Sequence, residues 1–211
     1  MPDETLFRTA LLAVLTPAAV VGGYHRLQAA STREKISRRE EGYLFAAILR
    51  LSGLATFAAV ITWLVSPATI AWGRLSLPTA VRWGFVGLGF GCTGLLYWTL
   101  SSLGKNLTDT VVTRENATLV TRGPYRWVRH PFYVTGTLML LAITGLTANG
   151  LIGALGIVPL MLLAIRTPKE EQMLVARFGE AYEDYMQRTG RFVPRLSSTL
   201  QSESPDERAA K

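Results

Sequence analysis

Three long apolar runs occupy the first half of the chain, at residues 6–24, 43–65 and 80–100. Each holds about 19 to 23 residues, enough at about 1.5 Å rise per residue to cross a hydrocarbon layer about 30 Å thick. Two further apolar segments, 132–147 and 150–165, meet at "TANG", whose Asn149-Gly150 step is a turn signal. At about 16 residues each they are short for a straight span, and they predict a helical hairpin that dips deep or just crosses. The pattern predicts an all-α integral membrane fold with about five transmembrane helices, the last two forming that hairpin.

After the hairpin the period changes. In "RTPKEEQMLVARFGEAYEDYMQRTGRFVP", Thr167 is placed to cap a new helix, Pro168 fits its first turn, and Glu170 has the spacing of a capping box. Met173, Leu174, Phe178, Ala181, Tyr182 and Tyr185 recur at steps of mostly three or four, which predicts a cytosolic amphipathic helix over 168–188, closed by Gly190. From Leu196 the chain is polar, so residues 1–195 are expected to form a single membrane domain and 196–211 a disordered tail.

A hydrophobic content of 49% and a mean hydropathy of +0.24 agree with the membrane class. The formal charge of +7 would raise the question of nucleic acid in a soluble chain, but here the cations sort by loop. Arg26, Arg33, Lys35, Arg38 and Arg39 follow the first run, and Lys105, Arg114, Arg122, Arg126 and Arg129 follow the third, whereas 66–79 carries only Arg74. That asymmetry predicts a multi-pass protein with its N-terminus outside and its basic loops and C-terminus cytoplasmic, held against anionic membrane lipid, with no nucleic-acid partner. A cleaved signal is not expected at 6–24, because "MPDETLF" is acidic and no small-x-small site ends the run. Arg50 and Arg82 fall in or near spans and are expected to snorkel to the interface. The glycines of "GFVGLGFGCTG" are expected to let helices approach closely. Cys92 is the lone cysteine and excludes a disulfide framework.

A membrane enzyme can handle a polar ligand only where charges and backbone donors are shielded from lipid, at the ends of spans and in the loops between them. Two segments qualify. In "GPYRWVRHPFY", Gly123-Pro124 and His130-Pro131 break the helix and leave backbone groups in need of partners, some of which a bound ligand could supply. Tyr125, Trp127 and Tyr133 would wall such a ligand, yet they also have the composition of an interfacial aromatic belt. The second segment gathers Arg166, Lys169, Glu170 and Glu171 where the hairpin leaves the membrane. A snorkelling arginine and a capping carboxylate account for it equally well. A hairpin that crosses an even number of times brings both segments to the same side.

Together, "GPYRWVRHPFYV" and the later "PKEEQMLVARFGEAYEDYMQRTGRFVP" resemble the isoprenylcysteine carboxyl methyltransferase family of integral membrane enzymes. The likeness covers residues 117–194 and rests on the paired pattern G-x-Y-x-x-x-R-H-P-x-Y and E-E-x-x-L-x-x-x-F-G-x-x-Y-x-x-Y. Arg-His-Pro alone also resembles stretches of membrane sterol reductases and phospholipid methyltransferases; the two halves in order and spacing carry the resemblance. The glycine that often follows the first half closely stands here at Gly136, after Val134 and Thr135.

The resemblance implies a methyltransferase that uses S-adenosylmethionine and releases S-adenosylhomocysteine, with no metal site. It implies that Leu119, Val120 and Tyr125 line the cofactor and that His130, Pro131 and Tyr133 hold it from the hairpin side. Glu170 would meet its polar or cationic groups. Arg166 would orient a substrate carboxylate, with Glu171 as a second catalytic candidate. The expected acceptor is an isoprenylcysteine-like or other lipophilic molecule entering from the bilayer and methylated on its carboxyl group. The alternative is N-methylation of a phospholipid or other lipophilic amine, for which His130 or a glutamate would have to take a proton. A non-catalytic membrane scaffold would leave the paired motif unexplained, and no D-x-x-C-x-x-K-Y-G segment supports a sterol reductase.

Overall fold

In the computed structural model, which describes residues 2–30, 42–104 and 118–195, most of the apolar runs extend into longer helices. The order is α1 (Pro2–Ala30), α2 (Tyr43–Val65), a 3-10 turn (Pro67–Gly73), α3 (Thr79–Leu103), a second 3-10 turn (Gly123–Arg126), α4 (Pro131–Thr147), α5 (Gly150–Phe178) and α6 (Glu180–Arg188). Helices α1, α2, α3 and α5 are long and apolar enough to cross a membrane, and α4 is a shorter apolar helix of 17 residues. The result is an all-helical integral membrane fold. The cations Arg33, Lys35, Arg38, Arg39, Lys105 and Arg114, and the tail from 196, lie outside the described residues.

The helices alternate in direction, so one end of the bundle collects the start of α1, the end of α2 and the α4–α5 turn, while the other collects segment 118–130 and α6. The core fills the first of these, the distal half. Phe7, Leu11 and Val14 of α1 meet Val60 and Trp63 of α2, Val86 of α3, Leu146 and Ile152. Lipid is itself apolar, so close packing and hydrogen bonds hold such helices together more than exclusion of water does. Gly145 marks that closeness, since a Cβ there would collide with the Phe85 ring of α3. Among the glycines of α3 at 84–94, only Gly89 makes the expected approach, against Val14; a Cβ at Gly84, Gly87, Gly91 or Gly94 would meet nothing within 4 Å.

Polar side chains close the distal end. Arg8 donates from Nε to Leu64 O at 2.6 Å and from Nη2 to Val65 O at 2.7 Å, satisfying the last carbonyls of α2. Arg82, expected to snorkel, is instead 8% exposed. Its Nε donates to Leu146 O at 2.9 Å near the end of α4, and its guanidinium lies 3.6 Å from the Phe7 ring centroid. A helix-end carbonyl and an aromatic face supply inside the protein what the interface would have supplied outside it. Arg50 is exposed on α2. Asn149 forms the expected turn, its side chain accepting from Leu151 N and Ile152 N and donating to Ile70 O at 2.9 Å. The left-handed residue, however, is Ala148 (φ 47°).

The second arm of the hairpin departs most from expectation. No new helix starts at Pro168: α5 runs through Pro159 and Pro168 to Phe178. Thr167 Oγ1 donates back to Leu163 O at 2.9 Å, and Glu170 turns to Tyr133, so no capping box forms. Each proline forgoes a helical hydrogen bond, a loss tolerated in a helix packed on both α2 and α4. The break falls instead at Gly179, whose φ of 55° suits glycine. Helix α6 then ends at Arg188, with Thr189 as its cap in place of the expected Gly190.

Candidate active site

The site begins where Gly123 adopts a φ of 62° against Ser102 of α3, with which any Cβ would collide. Pro124 then starts a 3-10 turn that buries Tyr125 and leaves Arg126 outside, 4.0 Å over the Trp127 ring, which meets Trp98 edge-on at 5.4 Å. The aromatic-belt reading therefore fits Arg126 and Trp127, both exposed, and not Tyr125.

Backbone donors near His130-Pro131 are met by the protein itself. Arg129 N–H donates to Gly190 O at 2.8 Å and His130 N–H to Arg191 O at 3.1 Å, with Val128 bridged to Gly190. Gly190 has to be glycine because a Cβ would strike the Val193 carbonyl. The segment after α6 thus runs alongside the loop that precedes α4.

Behind this loop sits a buried charge cluster. Glu171 Oε1 accepts from Arg129 Nε at 2.8 Å and faces His130 Nε2 at 3.2 Å. Its Oε2 accepts from Arg191 Nε at 3.1 Å and from Arg191 Nη2. Arg129 Nη1 also donates to Met186 O at 3.2 Å and to Thr189 O. A carboxylate held by two guanidiniums is ionised and only accepts, so the proton between it and His130 belongs to Nε2. Nδ1 is left on the Glu170 side, 4.0 Å from Glu170 Oε1. Glu170 Oε2 accepts from Tyr133 O–H at 2.7 Å, and the Tyr133 ring stacks on His130 at 5.4 Å between centroids.

In front of this wall lies a cavity of about 840 Å³, lined by Leu119, Val120, Tyr125, His130, Pro131, Tyr133, Arg166 and Glu170. Both segments singled out in the sequence therefore face one space. Glu171 does not line it. The catalytic placement expected for that carboxylate is corrected by its three partners, which hold it 3% exposed behind the wall. Away from the polar wall the cavity continues as an apolar trough between α1, α2, α3 and α5, past Gly22, Gly23, Gly53, Leu96 and Leu163. Tyr182 and Tyr185, read as part of an amphipathic face, border it from α6. Burial pushes the phenols of Tyr125, Tyr182 and Tyr185 above their usual range, so they stay neutral, and Tyr185 O–H donates to Tyr125 O at 2.6 Å.

Sequence reasoning missed Arg129, read as a topology signal, together with Arg191 and Phe192. Arg129 stands inside the motif, which was its available signal. Arg191 lies 20 residues from its partner Glu171, and no local pattern links them.

The sequence profile of the isoprenylcysteine carboxyl methyltransferase (ICMT) family matches residues 87–176, from within α3 to near the end of α5. The chain is 33% identical over 123 residues to the cobalt-zinc-cadmium resistance protein CzcN of Cupriavidus metallidurans, covering 57% of this chain and 51% of that one. It is 31% identical over 147 residues to the protein-S-isoprenylcysteine O-methyltransferase of Schizosaccharomyces pombe, covering 68% and 61%. The chain spans about half the length of the first of these relatives. The solved structure of the eukaryotic intramembrane Ras methyltransferase ICMT superposes with a TM-score of 0.54 at 20% identity, over 84% of this chain and 67% of that one, a likeness of fold. The paired motif and these matches tie residues 87–176, the greater part of the site-bearing half, to the isoprenylcysteine carboxyl methyltransferase family.

Proposed function

We propose that this protein transfers a methyl group from S-adenosylmethionine to the carboxyl group of a lipophilic, isoprenylcysteine-like acceptor. The observation that carries the reading is a single cavity with Arg166 and Glu170 at one end and an apolar trough at the other. Its volume of about 840 Å³ lies in the range of about 300–1,000 Å³ usual for small-ligand sites. The residues fit the cofactor. Glu170 presents a carboxylate at the cavity wall, which suits an ammonium group, and the rings of Tyr125 and Tyr133 suit a nucleobase or a cationic sulfur. S-adenosylmethionine, when bound, supplies a methyl group on a positively charged sulfur.

The protein's own part is placement and shielding. A carboxylate of pKa about 3.5 is already ionised at neutral pH, so no general base is needed for it. Arg166, one turn before Glu170 on the continuous α5, can hold that carboxylate through two parallel hydrogen bonds without protonating it. Leu119, Val120 and the α6 tyrosines keep water from the meeting point, and the trough seats the lipophilic tail so that the headgroup is aligned. The site end is placed in the cytoplasm and the N-terminus outside, on the lysine and arginine asymmetry, with Arg122 and Arg126 exposed there.

Purified protein given radiolabelled S-adenosylmethionine and a prenylcysteine analogue should yield base-labile product. Base-stable label on an amine lipid would replace the carboxyl acceptor, and calorimetry without saturable cofactor binding would end the methyltransferase reading. Arg166→Ala should lower turnover by about 100-fold or more while moving the cofactor Kd less than about threefold, because its contact is with the acceptor. Equal loss of both would move Arg166 into the cofactor shell.

A further inference from the structure

We propose that residues 189–192 form a strap that sets the cofactor-facing wall, with Arg191 as its positioning residue; its effect on methyl transfer rests on the cofactor reading above. His130 and Tyr133 border the cavity, but what orients them lies behind. The strap's backbone takes the Arg129 and His130 amide protons on Gly190 O and Arg191 O. Thr189 O takes an Arg129 guanidinium proton. The Phe192 ring stands 5.8 Å from His130 and 6.4 Å from Tyr133, backing the stacked pair. Arg191 holds one oxygen of Glu171, whose other oxygen faces His130 Nε2 at 3.2 Å. These contacts converge on the wall or on the group immediately behind it.

Arg191 itself does not line the cavity, and its side chain is 41% exposed. Such a residue adds little to folding. Its loss nevertheless leaves Glu171 Oε2 without the donor that aims it, in a side chain only 4% exposed. Glu171 can then rotate toward Arg129, and the fixed orientation of the His130 ring is lost.

The test compares full-length protein in detergent as wild type, Arg191→Met and Arg191→Lys. It reads the cofactor Kd by calorimetry, the acceptor KM, and amide hydrogen exchange across residues 125–133. Arg191→Met should raise the cofactor Kd about tenfold, the size of one partly exposed charge-assisted contact. It should leave the acceptor KM unchanged and speed exchange at Arg129 and His130, and Arg191→Lys should recover most of the affinity. A structural staple alone would lower the melting temperature and both affinities together, with no rescue by lysine, and that result overturns the proposal. So does an Arg191→Met protein with unchanged Kd and exchange. The exchange measurement needs no cofactor: faster exchange in Arg191→Met, beside a wild type that binds no S-adenosylmethionine, would sink the cofactor reading and leave the strap standing.

Discussion

Arginines stand at both ends of the helical bundle, and the two ends use them differently. At the distal end Arg8 and Arg82 reach the last carbonyls of α2 and α4, and Arg82 also rests on a phenylalanine ring. At the site end Arg129 and Arg191 close on one carboxylate, Glu171, while Arg166 lines the cavity. A helix end carries only about half an elementary charge and can be met by one donor at a time. A buried carboxylate carries a full charge and has to be matched as a unit. The distal end is thereby closed piece by piece, whereas the site end depends on one shared charge, held chiefly by the buried Arg129.

Breaking the cluster tests that difference most severely. Arg129→Met leaves Glu171 buried with the partly exposed Arg191 as its remaining cation, and should cost about 3–5 kcal/mol, the usual loss when one partner of a buried pair is removed. Thermal denaturation in detergent measures it, and S-adenosylmethionine binding should disappear with it. The double variant Arg129→Met with Glu171→Met should regain much of the stability, because two apolar side chains of similar length leave no orphaned charge. Binding should stay lost, since His130 then has no partner at Nε2. A double variant no more stable than the single one would mean that the cluster is not the electrostatic unit described.

Arg82→Met asks the same question of the distal end and should give a smaller answer. It removes a hydrogen bond to a helix-end carbonyl and a cation–π contact, together about 1–3 kcal/mol. Turnover per folded molecule should be unchanged, because Arg82 stands far from the cavity lining. Lost turnover at full folding would show that the two ends are coupled.

What could be read in advance follows the same division. The spans and the turn at 147–150 were legible because crossing lipid demands length and apolarity, which local composition records. Both site segments were legible because their residue types lie close together in the chain. The continuity of α5 was not. Thr167, Pro168 and Glu170 have every local mark of a helix start, yet Glu170 accepts from Tyr133 of α4 and α5 packs on both α2 and α4, so tertiary partners decide. Arg126 and Arg129 make the point most sharply. They are three residues apart and of one type, one spread on Trp127 at the surface and the other buried on Glu171. Nothing local separates them; the difference is made by α5 and the strap, which arrive from far along the chain.

The smallest expected effect sharpens the comparison from the other side. Arg74 pairs with Glu4 at 3.2 Å, with side chains 58% and 33% exposed. A solvent-facing pair of this kind is worth at most about 0.5 kcal/mol, less at high salt. Arg74→Ala should therefore melt with the wild type and turn over at its rate, although Arg74 is charged, distal and borders, with Arg82, a small cavity at that end. If it destabilised as much as Arg82→Met, charge pairing across the distal end would be holding that end together, and the capping of α2 and α4 would lose its explanatory role. If it is silent, burial of the arginine and the helix end it meets separate the two, and the same criterion picks Arg129 over Arg126 at the site.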